Sequence, residues 1–172
     1  MSAPRLTSLF VASLALAVPL GAAELSASFT DPAWEGEKVP EGEQCQRFGG
    51  SGKTPELKVT GIPDGANALV LEFSDASYAA MDDGGHGKVG YLLEPGATEI
   101  TVPRAPGHET ELQEPFFVVM EHKAPSWDEA GAYLPPCSGG RGNRYYLTVK
   151  AVKRTGDEIQ ELASTLLEMG TY

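Results

Sequence analysis

Apolar and polar positions fall in short bursts along most of this chain, each bounded by glycine, proline or a polar turn. ALVLEF (residues 68–73) is the most continuous burst, nearly all apolar between turns, and predicts a central strand that delivers Ser74 and Asp75 at its end. LKVTGIP (57–63) reads as a strand that runs into the strong turn Pro63-Asp64-Gly65. KVGYLL (88–93), TEITV (98–102) and YYLTVKAV (145–152) read as further strands, PFFVVMEH (115–122) as a buried one, and ELSASF near residue 24 as a short edge strand. The tail then changes period. Ile159, Leu162, Ala163, Leu166 and Leu167 recur at three and four, which predicts an amphipathic helix capped by Asp157 and stopped by Gly170. The pattern as a whole predicts a mainly β, Greek-key β-sandwich with a C-terminal helix docked on it.

The first 23 residues stand outside this pattern. Arg5, the apolar run 9–18 and the small residues Gly21-Ala22-Ala23 predict a secretory signal peptide cleaved after Ala23, with Pro19 and the polar switch at Glu24 opposing a buried helix. Residues 24–172 then form a single domain, periplasmic or secreted, and no later run is long and apolar enough for a membrane helix. Without Arg5, 12 basic residues face 24 acidic ones. That balance argues against a nucleic-acid or anionic-membrane surface, both of which need a basic face, and otherwise predicts only solubility.

Candidate chemistry gathers around YLPPCSGGRGNRYY (133–146), a rigid Pro135-Pro136, a cysteine and a Gly-rich run leading into a strand. Such loops carry polar side chains to a sheet rim, where binding sites concentrate. The only cysteines, Cys45 and Cys137, form an even pair that an oxidising compartment favours as a disulfide, with a reactive thiol as the alternative. If strands 68–73 and 88–93 pair, Asp75 just after the first and His86 just before the second lie at one sheet edge.

The order of motifs resembles the phosphatidylethanolamine-binding protein family, in particular its bacterial, Raf kinase inhibitor protein-like branch. TPEL (54–57), VTGIPDG (59–65), LVLEFSDAS (69–77), GGHGKVGYLL (84–93), YLPPCSGG (133–140), NRYYLTVKAV (143–152) and GTY (170–172) follow that family's S-P-P-L-x-W, P-x-G, D-P-D-A-P, histidine loop, Y-x-G-P-C-P-P, H-R-Y and G-T-Y in order. The resemblance implies a β-rich sandwich with a small anion pocket accepting phosphate-like head groups, in proteins that mostly bind or inhibit. By position it assigns the pocket to Asp75, His86, Arg144 and Tyr145, with Pro136 and Cys137 in its wall, and sets both cysteine loops at the pocket border. The chain departs from the family at Ala76-Ser77-Tyr78-Ala79, which lacks the second aspartate and both prolines, and at Asn143, where the family has a histidine.

These residues predict an exported, non-enzymatic binding protein whose ligand set is Asp75, His86, Pro136, Asn143 and Tyr145, with a small anionic ligand and no cofactor. Asp75 is expected to hold His86 as imidazolium, and Tyr145 and loop N–H groups to donate to the anion. Asn143 keeps a donor without a titratable charge, so binding is expected to be weaker and less pH-dependent than in relatives. Against these roles stand ordinary ones: Asp75 capping a turn, His86 solvated among glycines, and Arg144 in an ion pair. Strand alternation allows only one of Tyr145 and Tyr146 to face the pocket. The alternative function is a protein interaction or inhibitor module with a vestigial pocket, its unknown protein partner contacting loops 104–114 and 123–132. Catalysis is not expected, because the chain lacks a G-x-S-x-G elbow. No metal is expected at His86, His108 and His122, whose spacing does not suit one, and Asp82-Asp83-Gly84 falls short of a calcium loop.

Overall fold

The computed structural model describes residues 24–124, 126 and 128–172; the signal-peptide reading of 1–23, and Trp127, lie outside the described residues. Eight strands follow in order: β1 (Ser26–Phe29), β2 (Leu57–Thr60), β3 (Ala68–Asp75), β4 (Lys88–Leu92), β5 (Glu99–Val102), β6 (Phe116–Met120), β7 (Arg144–Thr155) and β8 (Glu158–Thr171). They build two antiparallel sheets, one ordered β1-β2-β5 and the other β6-β4-β3-β7-β8. The apolar run 68–73 is at the centre of the larger sheet, as its near-continuous hydrophobicity predicts.

The sheets share one core. Leu57 and Val59 of β2 and Val102 of β5 pack with Leu69, Leu71 and Phe73 of β3 and Leu147 and Val149 of β7. Each of these buried side chains contributes about 1.5–3 kcal/mol by leaving water. The opposite face of the larger sheet is tied by charge: Glu72 holds Lys88 at 2.9 Å and Lys150 at 3.1 Å, and Lys150 reaches Glu161 at 3.2 Å. These half-buried pairs brace neighbouring strands β4, β3, β7 and β8.

Two expectations are corrected. The segment after Asp157 is not a helix: β8 pairs with β7 along its length, from Thr155↔Glu158 to Arg144↔Thr171, across the two-residue turn Gly156-Asp157. The ladder shifts register at Ala151/Val152, where Glu161 and Ala163 take consecutive partners and Leu162 is the extra residue. That bulge breaks the two-residue alternation, so apolar positions on both faces imitate helical spacing. Ala163 and Leu167 pack on the core, while Leu166 remains 57% exposed. Second, β6 is half-buried rather than buried, because it is an edge strand paired only with β4.

Candidate functional site

Strand pairing places the predicted polar residues together. β3 and β7 run antiparallel with Asp75 directly opposite Tyr145. β3 also pairs with β4, and two further bonds, Phe73 N–H to the Gly87 carbonyl and His86 N–H to the Phe73 carbonyl (both 3.0 Å), extend that pairing back to His86. Asp75, His86, Asn143 and Tyr145 consequently line one cavity of about 460 Å³. Alternation sends Tyr146 elsewhere, where its hydroxyl donates to Asp82.

Asp75 is 3% exposed and its carboxylate is fully engaged. Oδ1 accepts the Ser77 N–H at 2.8 Å, closing a turn, and Oδ2 accepts the Asn143 side-chain N–H at 2.6 Å. The turn-capping role and the cavity position are therefore both occupied by one side chain. Asn143 serves as the donor that fixes this carboxylate.

His86 is not a solvated loop residue; it is buried, and its Nδ1 lies 2.7 Å from the Leu134 carbonyl. A carbonyl there requires an Nδ1–H, which leaves Nε2 as the acceptor of the neutral ring. Burial dominates and lowers the His86 pKa to about 4, outweighing the Leu134 carbonyl and Asp75, which raise it. The expected imidazolium is thus corrected: at neutral pH the ring is uncharged, because desolvation exceeds the attraction of Asp75. Tyr145 stacks edge-on against His86 at 5.3 Å, and its hydroxyl oxygen accepts the Cys137 N–H at 3.2 Å. Desolvation, with a smaller push from Asp75, raises the Tyr145 pKa to about 12, so it remains a phenol.

Positive charge enters from residues that sequence reasoning missed. Arg47 and Arg141 line the cavity with Phe48 and Tyr78, the two aromatics being 41% and 52% exposed. Arg141 lies inside the Gly-rich run and was readable there; Arg47 and Phe48 follow Cys45, so a bridge from Cys45 to the 133–146 loop was the signal that they come to the same place. That bridge is present, Cys45–Cys137. It also accounts for the grouping of Cys45, Asp128 and Cys137 ligand atoms within 4.8 Å, since both sulfurs are bonded to each other rather than available as thiolates.

Two assigned residues take other places. Pro136 is buried behind the wall, where its carbonyl accepts the Cys45 N–H at 3.0 Å, and it does not line the cavity. Arg144 points outward to Glu168 at 3.2 Å, the ion pair that was its ordinary reading. The Gly-rich loop is pinned by the Tyr172 carbonyl, which accepts the Gly142 N–H at 2.8 Å, the Asn143 N–H at 3.0 Å and the Ser138 hydroxyl.

No family model matches the sequence, and no curated protein does. Solved structures do: Escherichia coli YbcL, described as a member of the mammalian PEBP family, superposes with a TM-score of 0.57 at 17% identity over 87% of this chain and 98% of that one. The fold is that of the phosphatidylethanolamine-binding proteins. A second chain with this phosphatidylethanolamine-binding protein fold, the homolog CT736 from Chlamydia trachomatis, gives a TM-score of 0.55 at 22% identity over 87% of this chain and 97% of that one. Within the phosphatidylethanolamine-binding protein fold the cavity described above combines a buried acceptor floor with a cationic lip.

Proposed function

We propose that this chain is an exported, non-enzymatic binding protein of the phosphatidylethanolamine-binding family whose cavity takes a small anion such as phosphate or a phospho-head-group. The observation that carries this reading is the presence of Arg47 and Arg141 at the lip of a cavity whose floor holds a carboxylate, a neutral imidazole and a phenol. The anion docks at the lip, where the Arg141 guanidinium offers paired donors. The floor accepts hydrogen bonds through Nε2 of His86, which suits a hydroxyl or ammonium carried on the same ligand. The disulfide supports export, since such bonds persist in oxidising compartments.

A non-catalytic role is supported by the His86 hydrogen bond. In a hydrolase triad a carboxylate holds the imidazole N–H, whereas here the Leu134 carbonyl holds it. Calorimetric titration with inorganic phosphate and O-phosphoethanolamine tests the reading. Arg141→Ala is expected to weaken binding about tenfold, equivalent to the loss of one charged hydrogen bond, while leaving stability within about 0.5 kcal/mol. Millimolar affinity unchanged in Arg141→Ala, or no heat at all with either probe, would sink it.

The second reading, a protein interaction or inhibitor module, is favoured by β8 rather than by the loops first considered. Beyond its end, which residues 37–39 bridge at Thr171, β8 is an edge strand free of lysine, arginine and proline, with Ile159, Leu162 and Leu166 exposed. Edges lacking those blocking residues are open to strand addition by a partner.

A further inference from the structure

The loop that brings Arg47 and Phe48 to the cavity buries almost none of its own side chains. Across residues 40–51 Cys45 is the only buried residue, and the 3-10 turn Gln46–Phe48 buries none. Within the loop, Phe48 N–H and Gly50 N–H both return to the Cys45 carbonyl, at 3.0 and 3.1 Å. The loop is therefore folded around Cys45, and Cys45 is in turn fixed to the opposite wall by its sulfur and by its N–H to the Pro136 carbonyl. Further contacts come from the Ser51 N–H to the Gly42 carbonyl at 2.8 Å, the Gln44 side-chain N–H to the Phe48 carbonyl at 3.0 Å, the Phe48 ring against Tyr172 at 6.3 Å, and Glu43 and Ser51 to Arg104, all outside the buried core. On the other wall Cys137 lines the cavity itself, and its N–H is held by Tyr145 of the floor.

Resting on the anion-binding reading, we propose that the Cys45–Cys137 disulfide is a redox latch that positions Arg47 and Phe48 on the cavity, so that ligand affinity and the oxidation state of this bond are coupled. Reduction by a dithiol proceeds at the cavity side. One thiolate of the reductant attacks the Cys137 sulfur and forms a mixed disulfide, and Cys45 leaves as a thiolate and takes up a proton. The second reductant thiol then closes on the first, releasing Cys137 as a thiol and the reductant as a cyclic disulfide, a two-electron exchange. The Asp128 carboxylate, 3.9 Å from the Cys137 sulfur, opposes the approach of the anionic attacker. An anion held at the lip blocks the same approach. Because coupling is reciprocal, a bond that favours ligand is itself favoured by ligand.

Hydrogen exchange on the full chain, oxidised and treated with dithiothreitol, tests the latch independently of any ligand. Amides of 46–51 are expected to exchange at least about tenfold faster after reduction, with β3 and β7 amides unchanged. Phosphate affinity is expected to fall about fivefold or more on reduction, and saturating phosphate to shift the disulfide–dithiol equilibrium, read in a dithiothreitol redox buffer, towards the disulfide by the same factor. Protection of 46–51 that survives reduction overturns the proposal, as does loss of protection throughout β3 and β7, which would make the bond a global staple. The Cys45→Ser/Cys137→Ser double variant is expected to match the reduced protein, and protection of 46–51 in it overturns the latch equally. If oxidised protein binds no phosphate while 46–51 still responds as expected, the anion reading fails and the positional latch stands.

Discussion

The floor and the lip of the cavity are held by different means. The floor is a product of sheet register: Asp75 faces Tyr145 because β3 pairs with β7, and His86 is gripped between the Phe73 and Leu134 backbones. The lip consists of two exposed loops, joined to the body through one disulfide, the Cys45 N–H to the Pro136 carbonyl, the Tyr172 carbonyl and polar contacts to Arg104. The floor is buried and carries a negative and a neutral group, while the lip is exposed and carries the arginines. Positive charge in this site has been placed where desolvation is cheap, while the buried carboxylate of Asp75 is compensated by the Ser77 and Asn143 hydrogen bonds.

The same substitution made in each region should separate them most sharply. At Gly87, φ is +110° and an added Cβ would lie 2.1 Å from the Ala132 carbonyl oxygen, a clash with backbone on top of a left-handed conformation. Gly87→Ala is expected to cost about 3 kcal/mol or more, read from the denaturation midpoint, and a loss under about 1 kcal/mol would show the floor to be less rigid than its register implies.

Acid titration probes the floor alone. His86 has its pKa lowered from 6.5 to about 4, so the unfolded chain binds a proton that the native chain refuses between those values. The contribution of the neutral ring is full above pH 6.5 and is lost as pH falls towards 4, a decline of roughly 3 kcal/mol for this group. Denaturation measured at pH 7 and pH 4, in the natural chain and in His86→Gln, should give a smaller difference in the variant; equal differences would remove His86 as the cause.

The smallest effect belongs to the lip. Gly140 also has positive φ, +79°, but an added Cβ meets nothing within 4 Å. Gly140→Ala is expected to cost about 1 kcal/mol from backbone strain only. A cost equal to that of Gly87→Ala would erase the distinction between the two regions.

Much of this was legible in the chain. Turn-bounded apolar runs located seven of the eight strands, because burial on one or both sheet faces leaves a local signature in each. The Asp75–His86 edge followed from strand ends alone. β8 was hidden because its bulge at Leu162 shifts the alternation, a feature that depends on the partner strand and not on local preference. The His86 charge state is hidden for a related reason: its neighbouring carboxylate is visible in sequence order, but the burial that overrides it is a property of the assembled loops. Arg47 reached the site by a covalent route of long range, which no local pattern encodes.

The position of the bridge has a topological consequence. With a sequence separation of 92, it closes a covalent ring containing β2 through β6 and leaves β1 on one tail and the β7–β8 hairpin on the other. The central strand β3 therefore lies inside the ring, and its partner β7 outside it. Even a chain stripped of all hydrogen bonds keeps this ring, a restriction of its freedom equivalent to about 4–5 kcal/mol in the loop-entropy description. Denaturation of the oxidised protein thus separates ring from tails, and never one lip of the cavity from the other.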